Sequence, residues 1–388
     1  MMKPISLAPQ LQQQETEADR LLGRLRGIVA EIAGHAAELD HDEAAPLEDI
    51  ALLARMDALA APLGEPFGGM GLGSKAQTAG HLARALRLIG WASLPLGRLY
   101  EGHVNALVLI QHFGSPEQIG RAARAARNGQ LFGVWNTEAP SSALRLERIA
   151  GGLRLMGGKT FASGAGFVPC PLVTARTEDG SLLMVLPRLS ETDLTMRADL
   201  SGWRAHGMRA SATGSFDFSG IDVREGDIIG APGDYHMQPY FSAGAWRFLA
   251  VQTGGIERLV DEARTHLSAA GRAGDPHQVA RMGEAAAAAE TARLWVAQAA
   301  RIATQPSDAA ACIAYVGLAR GVVERAGLDV LERVHRSVGL ASFQRPHPIE
   351  RISRDLATYL RQPAPDRALA EAGDYVLGAN ARLGDLWP

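Results

Sequence analysis

The sequence predicts an α+β multidomain protein: an N-terminal α-helical domain at residues 1–130, a middle antiparallel β domain at 131–234 and a C-terminal helical bundle at 235–388. Two observations support this. The chain has 388 residues, more than the roughly 250–300 that one hydrophobic core usually organises, so several domains are expected. The spacing of apolar residues also changes twice along the chain, from the helical period to short strand-like runs and back.

The N-terminal part has apolar residues three and four positions apart, as at Leu21, Leu25 and Ile28, which indicates amphipathic helices. The segment 62–71 contains two prolines and four glycines, and it predicts a turn-rich break between helices.

The middle part consists of short apolar runs, such as 182–186 and 215–218, separated by Gly and Asp, which is typical of β-strands. After Tyr240 the helical period returns in long Ala-rich stretches at 284–303 and 309–334, as expected for a helix bundle.

Composition excludes several classes of protein. No apolar run approaches the roughly 20 residues that a membrane helix requires. The net charge of −3 is spread over interleaved acidic and basic residues, so nucleic acid is not a predicted partner. Residues Met1–Pro4 and the glutamine-rich stretch after them lack the features of a secretory signal, and a cytoplasmic location is predicted. Cys170 and Cys312 lie far apart, which suggests neither a disulfide nor a metal site.

Four segments resemble motifs of the acyl-CoA dehydrogenases. Residues 134–142 are similar to the Thr-Glu-Pro segment that opens the family's β domain, and 157–165 to its Gly-x-Lys-x-x-Ile-Thr-Asn strand. Residues 207–213 resemble its Gly-x-Arg-x-Ser-x-Thr turn, and 348–355 its Pro-Val-Glu-(Lys/Arg)-x-x-Arg-Asp sequence. Four motifs in this order identify the chain as a divergent member of the acyl-CoA dehydrogenase superfamily of flavoproteins. The resemblance implies a β-barrel middle domain and a four-helix bundle.

The resemblance also implies a flavin, FAD or alternatively FMN, bound where the domains meet. It places Thr137 at the pyrimidine edge of the ring, and Phe161 with Ser163 beside the ring. Trp135 and Ser142, in the same segment as Thr137, are further predicted contacts. Thr137 could equally end a strand, and Phe161 could belong to a core.

Predicted pyrophosphate contacts lie in the C-terminal part. The family uses an Arg and a Gln from the neighbouring subunit, for which Arg272 and Gln278 are the nearest matches, although their spacing is shorter than usual. Arg336 stands where the family commonly has Gln, beside Gly339. These contacts across subunits predict a homodimer or homotetramer.

The family's catalytic base is missing from both of its usual places. A dehydrogenase removes an α-proton with a carboxylate, but Pro363 stands at one Glu position and Trp246 at the other. Asp366 could substitute, or it could be a solvated helix cap. Arg354 and Asp355 are interpreted as a structural ion pair rather than a catalytic pair.

A second branch of the fold, the flavin-dependent monooxygenases, does not need that base. It uses reduced flavin from a separate reductase together with oxygen. The segment 162–164 resembles this branch's Ser-Ser-Gly, and His103 lies where the branch often has a His near the flavin. The branch's C-terminal His is absent, because Arg361 and Gln362 stand there.

Three hypotheses follow. The first is a flavin oxidoreductase that acts on an acyl-CoA. The predicted protein partner is an electron-transfer flavoprotein or a flavin reductase. The second is a two-component monooxygenase, and the third is a non-catalytic flavin-binding scaffold. The predicted catalytic residues are His103, Ser163 and Asp366.

Overall fold

The computed structural model describes residues 15–139 and 142–387. The N-terminal residues used above to predict a cytoplasmic location, and Pro140 and Ser141 of the first motif, lie outside the described residues.

The described part of the chain begins with five α-helices. The first, α1, starts after Thr16, whose side chain accepts from the Asp19 amide while Asp19 bonds back to Thr16. The turn-rich segment 62–71 separates α2 from α3, as predicted. The bounds are α1 (Glu17–Glu38), α2 (Leu47–Arg55), α3 (Ala76–Ala92), α4 (Leu94–Phe113) and α5 (Pro116–Arg127).

The middle part consists mostly of strands. Within the described residues they form a seven-stranded sheet, ordered β10-β6-β5-β2-β3-β9 with β1 beside β5, and a three-stranded sheet, ordered β4-β8-β7. The bounds are β1 (Phe132–Trp135), β2 (Arg145–Ile149), β3 (Gly152–Met156), β4 (Gly158–Ala162), β5 (Cys170–Arg176), β6 (Leu182–Val185), α6 (Glu191–Arg197), β7 (Ala198–Asp199), β8 (Gly214–Asp217), β9 (Ile221–Val223) and β10 (Ile228–Ile229).

The predicted antiparallel pairing needs one correction. Strand β1 pairs with β5 in parallel over four residues, from Phe132 opposite Cys170 to Trp135 opposite Val173, and β2 meets β5 in parallel at one pair. A parallel pair needs a long connection between its strands, and here that connection contains β2, β3 and β4. The remaining pairs of strands are antiparallel.

The C-terminal part is helical, as predicted. The long helices α8, α9 and α10 pack against one another, α11 packs on α8, and α12 packs on α10. The bounds are α7 (Tyr240–Ala243), α8 (Trp246–Ala269), α9 (Pro276–Thr304), α10 (Ala309–Val338), α11 (Pro348–Tyr359) and α12 (Pro365–Gly378). None of the helices in the described ranges is long and apolar enough to cross a membrane.

Helices α3 and α8 join the first helical part to the bundle, and two glycines allow their close approach. A Cβ on Gly254 would lie 2.1 Å from the carbonyl oxygen of Arg87, and one on Gly90 would lie 2.2 Å from that of Val251. The helices change to strands between Arg127 and Phe132, but the exact domain boundaries at 130/131 and 234/235 stay predictions.

The third and fourth motifs meet where the β region contacts α11. Met208 N donates to Asp355 Oδ1 (2.6 Å), and a Cβ on Gly207 would lie 2.2 Å from the carbonyl oxygen of Arg354. Arg354 and Asp355 are structural, as interpreted, but they do not pair with each other. Arg354 binds Asp40 (2.5 Å) and Glu350 (2.7 Å), and so ties α11 to the segment after α1.

Candidate functional site

An exposed aromatic face lies on strand β4. Phe161 is 62% exposed and has a left-handed backbone (φ +51°), where the pairing of β4 with β8 shifts register between Lys159 and Ala162. Its ring meets that of Trp203 edge to face, with centroids 6.4 Å apart. Such a conformation is strained for a bulky residue, and irregular strands often re-aim a side chain at functional sites. The predicted core alternative for Phe161 is therefore wrong.

The first two motifs lie side by side, held by a buried lysine. Lys159 Nζ binds Glu138 Oε2 (2.9 Å), Asn136 O (3.1 Å) and Thr174 Oγ1 (3.0 Å), so the segment after β1 is fixed against β4. The amide of the residue before Phe161 also donates to Thr137 O (2.9 Å). Thr137 itself is exposed, and it lies on the segment that runs beside the aromatic face.

Ser142, the other predicted contact in this motif, is also exposed. Its carbonyl oxygen accepts from the Gly158 amide (3.0 Å), so it lies at the first residue of β4 rather than at Phe161. Its role as a flavin contact stays a prediction.

A small cavity lies between α4, β1 and the segment after β4. Its volume is about 10 Å³, roughly the space of one water molecule. It is lined by Arg98, Leu99, Gly102, Phe132, Gly133, Val134, Trp135, Ser163 and Val168. Trp135 is buried, and its indole Nε1 donates to the carbonyl oxygen of Ser163 (3.0 Å), which fixes this wall of the cavity.

The Ser163 hydroxyl belongs to a chain of buried hydroxyl groups. Ser163 Oγ accepts from Thr213 Oγ1 (3.1 Å), and Thr213 Oγ1 lies 2.8 Å from Ser211 Oγ. Among the described residues, Ser163 Oγ has no acceptor of its own. Its proton is therefore able to form one further hydrogen bond.

His103 does not face the cavity. Its ring is completely buried, Nε2 lies 2.7 Å from Leu59 O, and Nδ1 accepts from the Phe132 amide (3.0 Å). These partners require a neutral ring with its proton on Nε2. Burial lowers the pKa of His103 to about 4. The structure favours a structural role that links α4 to β1 over the predicted proton-transfer role.

Neither predicted base position carries a carboxylate that faces the cavity. Trp246 is 1% exposed and packs in the main core. Pro363 lies in the exposed loop before α12, where its carbonyl oxygen accepts from Arg320. Asp366 is exposed in the first turn of α12, which fits the alternative of a helix-terminal residue and not the role of a base.

Sequence reasoning missed a group of polar side chains beside the cavity, which we call the α4–α8 polar network and define as Arg98, Glu101, Asn105 and Arg247. Arg98 Nη1 donates to Glu101 Oε1 (2.5 Å), and Asn105 Nδ2 donates to Glu101 Oε2 (2.6 Å). Arg247 Nη1 donates to Asn105 Oδ1 (2.9 Å). A signal existed, because polar residues three and four apart on a largely apolar helix share one face.

The four predicted pyrophosphate residues lie at one end of the bundle. Arg272 donates to the carbonyl oxygen of Ser337 (3.3 Å). With its amide oxygen turned to Arg272 (2.7 Å), Gln278 also donates to Ser337 Oγ (3.0 Å). Arg336 and Gly339 flank Ser337 and Val338 at the end of α10, and Arg336 is exposed beside Glu332 (3.3 Å). The structure thus brings these residues together in one chain.

These features fit a flavin in two separate places. The exposed Phe161 ring and the half-buried Trp203 ring, with Thr137, offer an aromatic face with polar atoms at its edge, as an isoalloxazine ring requires. The bundle end offers guanidinium groups for a phosphate. The cavity of about 10 Å³ is too small for the ring itself, so it can only adjoin the ring.

Comparisons with known proteins agree with this architecture. Residues 16–129 match the sequence model of the acyl-CoA dehydrogenase N-terminal domain. A dibenzothiophene monooxygenase from Mycolicibacterium goodii is 24% identical over 319 residues, which are 73% of this chain and 76% of the relative. A probable FMNH2-dependent monooxygenase, SfnC, from Pseudomonas putida is 23% identical over 91% of this chain and 93% of its own length.

A crystal structure of TdsC from Paenibacillus sp. A11-2 with FMN and indole superposes with a TM-score of 0.81 at 20% identity, covering 92% of this chain and 97% of that one. The predicted fold class is thereby confirmed. Residues 16–129 thus resemble the acyl-CoA dehydrogenase N-terminal domain, the whole chain has the fold of the TdsC structure, and the proteins to which it is similar include flavin-dependent monooxygenases.

Proposed function

We propose that the protein is a two-component flavin-dependent monooxygenase, which takes reduced flavin from a separate reductase and oxygenates a small molecule. One observation carries this proposal: neither Trp246 nor the Pro363 loop offers a carboxylate base. Similarity to monooxygenases, one of them FMNH2-dependent by name, supports it.

FMN is the proposed cofactor, in place of the FAD that the sequence suggested first. The FMN in the TdsC complex supports this choice. Phe161 and Trp203 would contact the ring, Thr137 its polar edge, and Ser163 the side of the ring that adjoins the cavity. The bound flavin supplies electrons and activates oxygen.

The protein's own contribution is positioning and proton supply. The Ser163 hydroxyl, whose oxygen accepts from Thr213, would donate a hydrogen bond to the bound molecule. Trp135 fixes the backbone of Ser163 and closes the cavity on the core side. The small, mostly apolar cavity excludes bulk water, which protects reactive species from side reactions.

Dehydrogenation of an acyl thioester is the second candidate, because one buried carboxylate does lie near the cavity. Glu101 is 3% exposed, and burial raises its pKa, although Arg98, Arg247 and Asn105 oppose that shift. A raised pKa suits a general base.

Two assays separate the candidates. With FMN, a flavin reductase and NADH, the first predicts oxygen uptake that depends on an added organic substrate. Anaerobic bleaching of bound flavin by a panel of acyl-CoA esters would instead support dehydrogenation. Stoichiometric flavin binding with neither activity would indicate a scaffold. If purified protein binds neither FMN nor FAD, the proposal is refuted.

We also propose that the working form is a homodimer or homotetramer. Leu340 (72% exposed) and Phe343 (62% exposed) lie beside the bundle end, where Arg272 and Gln278 are predicted to contact a neighbour's flavin. Exposed apolar side chains of this size are often covered by a partner. Sedimentation velocity tests this, and a monomer would contradict it.

A further inference from the structure

The α4–α8 polar network carries an unbalanced charge inside the protein. It contains two guanidinium groups and one carboxylate, and Glu101 is the only carboxylate among the described residues that pairs with Arg98. Arg247 pairs with no carboxylate in that part of the chain and contacts Asn105 instead. Glu101 is 3% exposed and Arg247 is 9% exposed, so water does little to screen the extra positive charge.

One buried polar atom of the network lacks a partner. Among the described residues, Arg247 Nε makes no hydrogen bond. Tyr359, at the end of α11, is 4% exposed, and its hydroxyl lies close enough to Glu101 to form a hydrogen bond with that carboxylate. Desolvation lowers the pKa of Arg247 to about 10, because burial disfavours its charge more than nearby Glu101 supports it. Buried donors without acceptors are uncommon and indicate a missing partner.

Arg98 connects the network to the cavity. Its side chain is 27% exposed, binds Glu101 and lines the cavity together with Ser163. Gly102 makes room for it, since a Cβ there would lie 3.3 Å from Arg98 Nη1. A ligand in an opened cavity would therefore meet Ser163 on one side and the network on the other.

We propose that the network binds a singly charged oxygen anion on the substrate, a carboxylate or a sulfinate. One negative charge would neutralise the net positive charge of the two guanidinium groups and Glu101, whereas a phosphate dianion would leave a net negative charge. The oxygens of the anion would accept hydrogen bonds from Arg98 and Arg247 Nε. This inference rests on the proposed function and adds a substrate class to it: small organic acids, oriented with the charged group away from the flavin.

Equilibrium binding tests the proposal without turnover. Isothermal titration calorimetry with benzoate, benzenesulfinate and the neutral benzamide, on the protein with oxidised FMN and on the protein alone, should show at least one anion binding about tenfold more tightly than benzamide. The two anions separate carboxylate from sulfinate as the preferred group.

Isosteric variants then change the charge of the network in opposite directions. Asn105→Asp adds a carboxylate beside Arg247 and should abolish the preference for an anion over benzamide. Glu101→Gln removes the carboxylate of the network and should increase that preference by about tenfold. Arg264→Gln, at an exposed position on the same helix as Arg247, should leave it unchanged.

An equal affinity for anions and benzamide would overturn the proposal, as would a preference that survives Asn105→Asp. If one of the two variants fails to fold, the other variant and the comparison of anions with benzamide on the wild-type protein still decide the proposal. The outcome is independent of the proposed function: oxygen uptake with no anion preference refutes only this inference, whereas anion binding without oxygen uptake refutes only the monooxygenase.

Discussion

Replacing His103 with glutamine should remove an acid-dependent loss of stability that this buried ring imposes on the wild-type protein. The ring can serve Leu59 O and the Phe132 amide only while it is neutral, because protonated Nδ1 cannot accept a hydrogen bond. A glutamine amide can both donate and accept, but it does not titrate. The variant therefore separates the pH dependence from most of the hydrogen bonding.

The magnitude follows from the two pKa values of His103. The unfolded chain takes up the proton below about 6.5, whereas burial delays uptake in the folded chain to about 4. Stability is lost as pH falls through this window, because only the unfolded state gains the proton. The full difference corresponds to about 3 kcal/mol, and about 2 kcal/mol of it lies between pH 7 and pH 4.5.

Urea unfolding at pH 7 and pH 4.5, followed by tryptophan fluorescence, measures this difference. The gap in unfolding free energy between wild type and His103→Gln should shift by about 2 kcal/mol in favour of the variant at the lower pH. His277→Gln, at an exposed residue, is the matched control and should show no such shift. If the difference in unfolding free energy between wild type and His103→Gln were the same at both pH values, the buried neutral ring would be refuted. If the folded variant showed an altered pH profile of turnover, the predicted catalytic role of His103 would be restored.

Four further changes test other parts of the structure. Ser163→Ala should lower substrate-dependent oxygen uptake roughly 10-fold to 100-fold with little change in melting temperature. The control Ser215→Ala, on β8, should leave oxygen uptake unchanged, and an equal loss of uptake in both variants would contradict a role for the Ser163 hydroxyl. Phe161→Gly should raise the unfolding free energy by up to about 1 kcal/mol by relieving the positive φ, while weakening FMN binding in a fluorescence titration. Gly254→Ala should destabilise the protein by about 3 kcal/mol in thermal melts because its Cβ meets backbone, and tolerance of it would disprove the tight α3–α8 contact. Burial raises the pKa of Asp355 to about 6, so the folded state binds the proton more tightly than the unfolded state. The wild-type protein should therefore lose about 2 kcal/mol of stability as the pH rises from 4 to 7, and Asp355→Asn should abolish this loss. A loss that persists in the variant would contradict that burial.

The order of domains was predictable because it depends on local periodicity, and the motifs were informative because they meet in space. Gly207 and Met208 contact α11, and Lys159 joins the first two motifs. Neither contact can be derived from spacing alone, but both explain why the segments occur together. The parallel pairing of β1 with β5 was missed, since the paired residues lie 38 positions apart in the chain.

The site was predictable only in part, because exposure depends on tertiary structure. The sequence left open whether Phe161 contacts the flavin or belongs to a core, and its exposure follows from a register shift in β4 that only the structure shows. A lone helical histidine gives no sign that Leu59 and Phe132 occupy both of its nitrogens. The α4–α8 polar network joins Asn105 to a residue 142 positions away, which no local pattern reveals.

The network also bears on the choice between the two candidate reactions. At the start of α8 the place of a carboxylate base is held by buried Trp246, and the next residue, Arg247, directs a guanidinium group to α4. Glu101 is held by Arg98 at 2.5 Å and by Asn105 at 2.6 Å, so both of its oxygens already accept hydrogen bonds. These hydrogen bonds restrain the carboxylate from reaching a substrate carbon, and the guanidinium groups oppose the rise in its pKa that burial causes. The same arrangement suits the binding of a negative charge, so the network is more consistent with substrate recognition in a monooxygenase than with proton abstraction in a dehydrogenase.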